Sequence, residues 1–108
     1  MITTRLPRLI PAGADGMTVW PLILLRPASR GDRGLIEHEL VHYREQAWCT
    51  PIWWARYLLS PAFRQAAEVR AYRRQIAVGG IGLATAAHYL STRYRLDLSF
   101  TRAVELLT

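Results

Sequence analysis

The feature that most constrains the fold is the stretch His38-Glu39-Leu40-Val41-His42, which lies in a segment with helix signals at both ends. Asp32 is a favourable N-cap residue. The helix must end before Thr50-Pro51, because the residue before a proline disfavours the α conformation. Residues four apart in a helix project from the same face. The spacing therefore predicts a helix that presents two imidazole rings side by side.

This arrangement suits a zinc ion. Two imidazoles at positions i and i+4 can bind one Zn²⁺ at distances of about 2.0–2.1 Å. Glu39 is offset around the helix, so it can act as a general base on a metal-activated water instead of binding the metal. The alternative is that His38 and His42 are ordinary histidines of the helix surface or the core.

A catalytic zinc site normally has a third protein ligand. The candidates are one histidine and the downstream carboxylates: His88, Glu45, Glu68, Asp97 and Glu105. Glu45 lies too close in sequence to His42 to reach around the ion. Glu68 is favoured, because it lies among small and apolar residues where an unpaired carboxylate would be costly to bury. The alternative for Glu68 is a salt bridge to Arg64 or Arg70 on a solvated face.

The remaining signals indicate an α+β fold in a single domain, residues 1–108. Turn-prone residues 11–16 separate two extended stretches, which predicts an N-terminal hairpin with strands near 3–10 and 17–26. Pro21 cannot donate to a ladder, so the second strand is expected at an edge or with a bulge. Further along, the sequence predicts four segments: a short helix or connector at 52–59, a helix at 61–77 that Ser60-Pro61 starts, a helix at about 82–95, and a last helix to Leu107 capped by Ser99 or Thr101.

Two groups of side chains are expected to form the core around the motif. On the motif helix, the expected core face consists of residues at helical spacing, with the histidines on a different face: Ile36, Leu40, Tyr43 and Ala47. An aromatic cluster follows the helix: Trp48, Trp53, Trp54 and Tyr57. We expect these rings to fill the core between the two motif helices; the alternative is a wall on the substrate side of the site.

Composition limits the compartment and the partners. The net charge is +6 and every basic residue is an arginine, so nucleic acid or an anionic surface is a possible partner. Cys49 is the only cysteine, which excludes an intrachain disulfide. We expect a cytoplasmic protein, since no signal peptide and no apolar stretch of spanning length is visible. Peripheral membrane contact through Trp53, Trp54 and the arginines is a further possibility.

The combination of His38-Glu39-x-x-His42 with the later Glu68-x-x-Ala71 resembles the gluzincin metallopeptidases, and above all their smallest members, the minigluzincin-like domains of about a hundred residues. The stretch from Val19 to Pro27 is similar to the edge strand that precedes the active-site helix in those proteins. The resemblance covers roughly residues 17–76.

The resemblance implies a zincin-like fold, in which a small twisted antiparallel sheet packs on an active-site helix and a glutamate helix, followed by C-terminal helices. It implies that His38, His42 and Glu68 bind zinc and that Glu39 is the general base in the hydrolysis of peptide bonds. Ala71 would be small so that its helix can pack closely beneath the metal.

The resemblance also implies that the peptide substrate binds along the edge strand near 18–25. An oxyanion-stabilising residue is expected as well, with His88 as the first choice and Tyr89 and Tyr72 as alternatives. In some gluzincins an aspartate stands where this chain has Tyr72, so the residues that orient the two histidines are not assigned by the resemblance.

Two alternatives remain open from the sequence. The first is a basic, zinc-stabilised module that binds nucleic acid or a protein without turnover. It is less favoured, because Glu39 has no purpose at a closed structural zinc site and no nucleic-acid-binding motif is visible. The second concerns residues 96–108, which either lie in the cleft of a latent enzyme or complete the core.

Overall fold

The computed structural model of this protein describes residues 2–3, 15–26 and 31–108. In these ranges, three strands precede five helices: β1 Ile2–Thr3, β2 Gly16–Val19, β3 Leu22–Leu25, α1 Arg33–Gln46, α2 Thr50–Leu59, α3 Pro61–Ala77, α4 Leu83–Thr92 and α5 Phe100–Leu107. The α+β class expected from the sequence is confirmed. No helix in these described ranges combines the length and the apolar character needed to cross a bilayer.

The hairpin differs from the one expected. The segment 17–26 is not one strand; it contributes β3 and most of β2, which pair antiparallel with Thr18 opposite Ile23. Pro21 lies in the turn between them, where its missing N–H costs no ladder bond. β1 pairs with β3 in parallel, so the sheet is mixed, with the order β1-β3-β2, and not wholly antiparallel. Most of the strand expected near 3–10 lies outside the described residues.

The helix starts follow the capping signals. The Asp32 side chain accepts a hydrogen bond from the backbone N–H of Leu35, and α1 follows directly. Ser60 caps α3 in the same way, with a proline in the first turn. Ser99 is the cap of α5. Residues 52–59 prove to be helical as part of α2, so the connector alternative is excluded.

The expected core face of α1 is wrong. The buried residues of α1 are Gly34, His38, Glu39, His42 and Gln46, whereas Ile36, Leu40 and Tyr43 are only half-buried and Ala47 is exposed. The reason is that α1 turns its polar stripe inward against α3 and β2, where the side chains bind one another. Hydrophobic periodicity cannot find a buried face that is made of polar residues.

A separate apolar core joins α3 to the last two helices. Its fully buried members are Tyr72, Ala86, Ala87, Leu90, Ala103 and Leu107. Ala103 and Leu107 belong to α5. Of the two alternatives for residues 96–108, the structure therefore supports the one in which this segment completes the core. Tyr72 belongs both to this core and to the α1–α3 interface, where its ring packs edge-on against His38.

Two glycines let α1 approach the turn after α3. A Cβ atom on Gly34 would lie 2.4 Å from the Cα atom of Gly80, and one on Gly80 would lie 2.3 Å from the Cα atom of Gly34. No real Cβ atom tolerates such distances. The contact holds the start of α1 close to the end of α3, so that side chains of the two helices can meet.

Candidate metal centre

Three potential ligand atoms converge between α1 and α3. His38 Nε2 lies 3.1 Å and His42 Nε2 lies 3.2 Å from Glu68 Oε1. Each of the three residues is at least 95% buried. Within the described residues, this is the one group of histidine, cysteine or carboxylate side chains that could hold a metal ion, with ligand atoms within 4.8 Å of one another.

The distances suit a tetrahedral metal. Two ligand atoms at about 2.1 Å from a zinc ion are about 3.4 Å apart in tetrahedral geometry. The two distances to Glu68 Oε1 are close to this value. The three side chains could therefore hold a small divalent cation.

The two histidines are oriented by their other ring nitrogens. His38 Nδ1 donates to Gln75 Oε1 at 2.9 Å, and His42 Nδ1 lies 3.4 Å from Glu45 Oε1. Because Nδ1 of His38 is bound to Gln75, Nε2 is the ring nitrogen that faces Glu68 and that a metal ion could reach. These contacts supply the orienting groups that the sequence left unassigned.

The donor set needs a positive charge at its centre. Two imidazole lone pairs and a carboxylate oxygen repel one another unless a proton or a metal ion lies between them. Burial would lower the pKa of His42, but the negative charge of Glu68 and hydrogen bonds to Glu45 and Glu68 raise it to about 10. Burial opposes ionisation of Glu68, yet the charge of His42 and hydrogen bonds from both imidazoles hold its pKa well below the usual range.

Tyr57 is a further partner of Glu68. Its hydroxyl donates a hydrogen bond to Glu68 Oε2, the carboxylate oxygen that does not face the histidines. Burial and the negative charge of Glu68 raise the pKa of Tyr57 well above its usual value, so the hydroxyl keeps its proton. Glu68 makes no salt bridge to Arg64 or Arg70; Arg70 instead pairs with Glu45.

Glu39 lies beside the three potential ligands but is bound differently. Thr18 of β2 donates its hydroxyl to Glu39 Oε2 at 2.7 Å. Gln46 fixes β2 to α1 in turn, since its amide donates to Thr18 O and accepts from the backbone N–H of Trp20. The polar stripe of α1 thus holds the strand, the carboxylate of Glu39 and the histidines in one unit.

The potential ligands and Glu39 open onto a cleft of about 850 Å³. β2 forms one side of this cleft, and the other sides come from α2 and the segment after α4. Besides His38, Glu39, His42 and Glu68, its lining includes Gly16, Met17, Thr18, Trp53, Trp54, Tyr57, Leu58, Arg64, Arg93, Tyr94 and Arg95.

The aromatic cluster is divided between core, cleft and surface. Trp53 is buried and packs edge-on against His42. Trp54 and Tyr57, together with Trp53, line the cleft, so these rings are in the position that the alternative of an aromatic wall requires. Trp48 is 78% exposed, so the expectation that it fills the core is wrong. Trp48 lies in the short connection between the end of α1 and the start of α2, and neither helix shields its ring from solvent.

The structure does not bring His88 to the cluster. His88 is exposed on α4 and lines neither of the two cavities beside the potential ligands. Of the alternatives, Tyr72 and Tyr89 line a smaller cavity on the other side of His38. Tyr94 lines both cavities, and its hydroxyl lies 2.6 Å from that of Tyr72.

Sequence reasoning missed Gln75, Tyr57 and Thr18. A signal for Gln75 was present, because it follows Glu68 by seven residues and so shares its face of α3. The buried residues of α3 form that stripe: Ala67, Glu68, Ala71, Tyr72 and Gln75. No signal identified Tyr57 or Thr18, since their contacts depend on how α2 and β2 pack in three dimensions.

Comparison of the chain with protein-family models, with curated proteins and with solved structures finds no significant match. The geometry of this centre is therefore the basis for inferring a function.

Proposed function

We propose that this chain is a zinc-dependent metallopeptidase. The observation that carries the proposal is the convergence of His38, His42 and Glu68 on one buried point, with Glu39 beside them at the wall of the same cleft. A purely structural role would account for the three potential ligands, but it would not account for a buried carboxylate beside them.

The choice of zinc follows from the donor set. Two imidazole nitrogens and one carboxylate oxygen are a ligand set of catalytic zinc sites, in which the fourth position stays open to water or substrate. Zinc bound here would polarise the carbonyl group of a substrate and lower the pKa of a water molecule. The cleft beside the three side chains gives a substrate access to that open position.

In this proposal Glu39 moves the proton. Its carboxylate takes a proton from the attacking water and delivers it to the leaving amine of the cleaved peptide bond. The hydroxyl of Thr18 holds Oε2 in place. Gln75 and Glu45 keep the imidazoles oriented, and Tyr57 holds Glu68 through its second oxygen.

The substrate would lie along β2. β2 is one of the two edge strands among the described strands, whereas β3 lies between β1 and β2. Gly16, Met17 and Thr18 line the cleft, so an extended peptide could add to this edge through main-chain hydrogen bonds. The carbonyl of Thr18 is already bound by Gln46, and β2 pairs with β3 on its other side, so only the other outward main-chain groups of β2 are left for the substrate. The proposed substrate-binding strand, residues 16–19, overlaps the start of the stretch expected near 18–25.

The test is cleavage of a mixed peptide library by the zinc-loaded protein, read by mass spectrometry. We expect Glu39→Gln to retain zinc and to lose at least about 100-fold in rate, the usual contribution of a general base. Glu37→Gln is the matched control on the same helix, because Glu37 forms a surface ion pair with Arg74 and does not line the cleft.

Two results would overturn the proposal. One is equal cleavage by the wild type and Glu39→Gln, which would show that the turnover comes from a contaminant. The other is a zinc-loaded wild type that cleaves no peptide but binds random DNA in a steeply salt-dependent manner, which would support the basic binding module instead.

A further inference from the structure

The outward face of α2 is apolar and lies open to solvent. Ile52, Ala55 and Leu59 share this face by their spacing, and Leu58 flanks it. Leu59 is 83% exposed and Leu58 is 68% exposed, whereas Trp53 on the opposite face is buried. Ile52, Ala55, Leu58 and Leu59 are called the α2 face below.

Trp48 adds an aromatic ring next to this helix. It lies just before α2, and its large side chain is exposed. Trp48 precedes the N-terminal end of α2, and the exposed leucines lie at its C-terminal end. Exposed apolar side chains of this size are unfavourable in water, but indole rings are favoured at the boundary between lipid headgroups and acyl chains.

The charge around the α2 face has one sign. Residues 46–67 contain two arginines, Arg56 and Arg64, and no acidic residue. The carboxylates that bracket this segment are both engaged: Glu45 is paired with Arg70, and Glu68 is buried in the metal centre. The whole chain carries a net charge of +6. The partner of this face should therefore be apolar and anionic.

We propose that the α2 face docks on an anionic lipid bilayer, with Trp48 and Leu59 at the acyl boundary and the exposed Arg56 near the lipid phosphates. Arg64 takes no part in this contact, because its guanidinium donates to the carbonyls of Tyr57 and Tyr94 and lines the cleft. A second copy of this chain fits less well, because two α2 faces would bring arginines together with no carboxylate in either segment to pair with them. Leu58 also lines the cleft, so docking would hold the mouth of the cleft beside the bilayer. This inference does not depend on peptidase activity.

The experiment is sedimentation of the purified full chain with vesicles of phosphatidylcholine alone and of phosphatidylcholine with 30% phosphatidylglycerol. We expect binding to the anionic vesicles and a strong decrease with added salt. The double variant Ile52→Glu/Leu59→Glu should bind at least about tenfold more weakly, and Arg56→Gln about fivefold more weakly. Neither Ile52 nor Leu59 lines the cleft, so the double variant should keep the fold of the wild type, which the circular dichroism spectrum and the denaturant midpoint check.

Phe100→Glu is the matched control, because Phe100 is an exposed apolar residue at the start of α5. It should bind anionic vesicles as the wild type does. A blue shift of tryptophan fluorescence on binding, lost in Trp48→Phe, would further support the orientation.

Three results would overturn the proposal. The first is a wild type that binds neither kind of vesicle. The second is equal loss of binding in Phe100→Glu and in the α2 variant, which would indicate a diffuse charge effect. The third is a concentration-dependent dimer that the α2 variant abolishes while vesicle binding is absent, which would make this face a contact between copies.

Discussion

At the scale of single residues, the centre is held by contacts behind the ligands. Glu68 meets the histidines through one oxygen and Tyr57 through the other. His38 is oriented by Gln75 and packed by the ring of Tyr72. Such outer contacts set the orientation and the basicity of ligands, so their loss should be measurable as metal affinity.

We therefore expect Tyr57→Phe to weaken zinc binding by about tenfold, since Glu68 loses the hydroxyl that holds its second oxygen. Competition with a chromogenic chelator measures the affinity. Tyr43→Phe is the control, because Tyr43 makes its ring contact with Trp20 on a different face of α1. Equal zinc affinities of Tyr57→Phe and Tyr43→Phe would mean that Tyr57 contributes through the packing of its ring and not through its hydroxyl.

Protons and the metal compete for His42. In the metal-free protein its pKa is raised to about 10, so the ring is charged at neutral pH and pairs with Glu68. Zinc must displace this proton. We expect about one proton to be released per zinc bound at pH 7.5, measured by calorimetry in buffers of different ionisation enthalpy. Binding without proton release would contradict the charge state assigned to His42.

The pairing of His42 with Glu68 also determines how the free energy of unfolding of the metal-free protein changes with pH. The pKa of His42 is higher in the folded chain than its ordinary value of 6.5. Its contribution is therefore complete below pH 6.5 and is lost as the pH rises through about 10. Denaturant titrations of the metal-free protein should show this loss, and His42→Gln should remove that part of the pH dependence.

At the scale of elements, the position of the centre depends on how closely α1 approaches α3. Gly34 and Gly80 meet with no room for a side chain. Replacement of Gly34 by alanine forces the two backbones apart and should lower the free energy of unfolding by about 1–3 kcal/mol. It should also weaken metal binding, since His38 and Gln75 lie on the separated helices. Denaturant titration and metal titration measure the two effects.

The control for that substitution is Gly31→Ala, because a Cβ atom at Gly31 meets nothing within 4 Å. Its free energy of unfolding should stay within about 0.5 kcal/mol of the wild type. Equal stability of the two variants would contradict the close approach of α1 to the turn after α3.

Elements with local signals were predictable, and elements fixed by packing were not. Asp32, Ser60 and Ser99 each cap a helix through their own side chains, so sequence alone places those helix starts. The face of α1 was not predictable from hydrophobicity, because its buried side chains are polar and are satisfied only by partners on β2 and α3. The hairpin was misplaced because Pro21 makes a turn where strand propensity suggested one continuous strand.

At the scale of the whole molecule, the fold consists of two parts around α3. One face of α3 supplies Glu68 and Gln75 to the polar interface with α1, and Tyr72 and its neighbours join the apolar core with α4 and α5. The motif residues and Glu68 could be proposed from sequence, because spacing and buried charge carry chemical meaning locally. Tyr57 and the cleft could not, because α2 reaches the centre only through the packed fold.

We propose that His38, His42 and Glu68 hold one zinc ion. Elemental analysis of the extensively dialysed wild type, of Glu68→Gln and of Glu105→Gln tests this proposal. Glu105 is the control, because its carboxylate forms a surface ion pair with Arg102. We expect about one zinc per chain in the wild type and in Glu105→Gln, and loss of zinc in Glu68→Gln. A wild type that retains no zinc at neutral pH, or a Glu68→Gln variant that retains all of it, would show that these three residues do not form a zinc site.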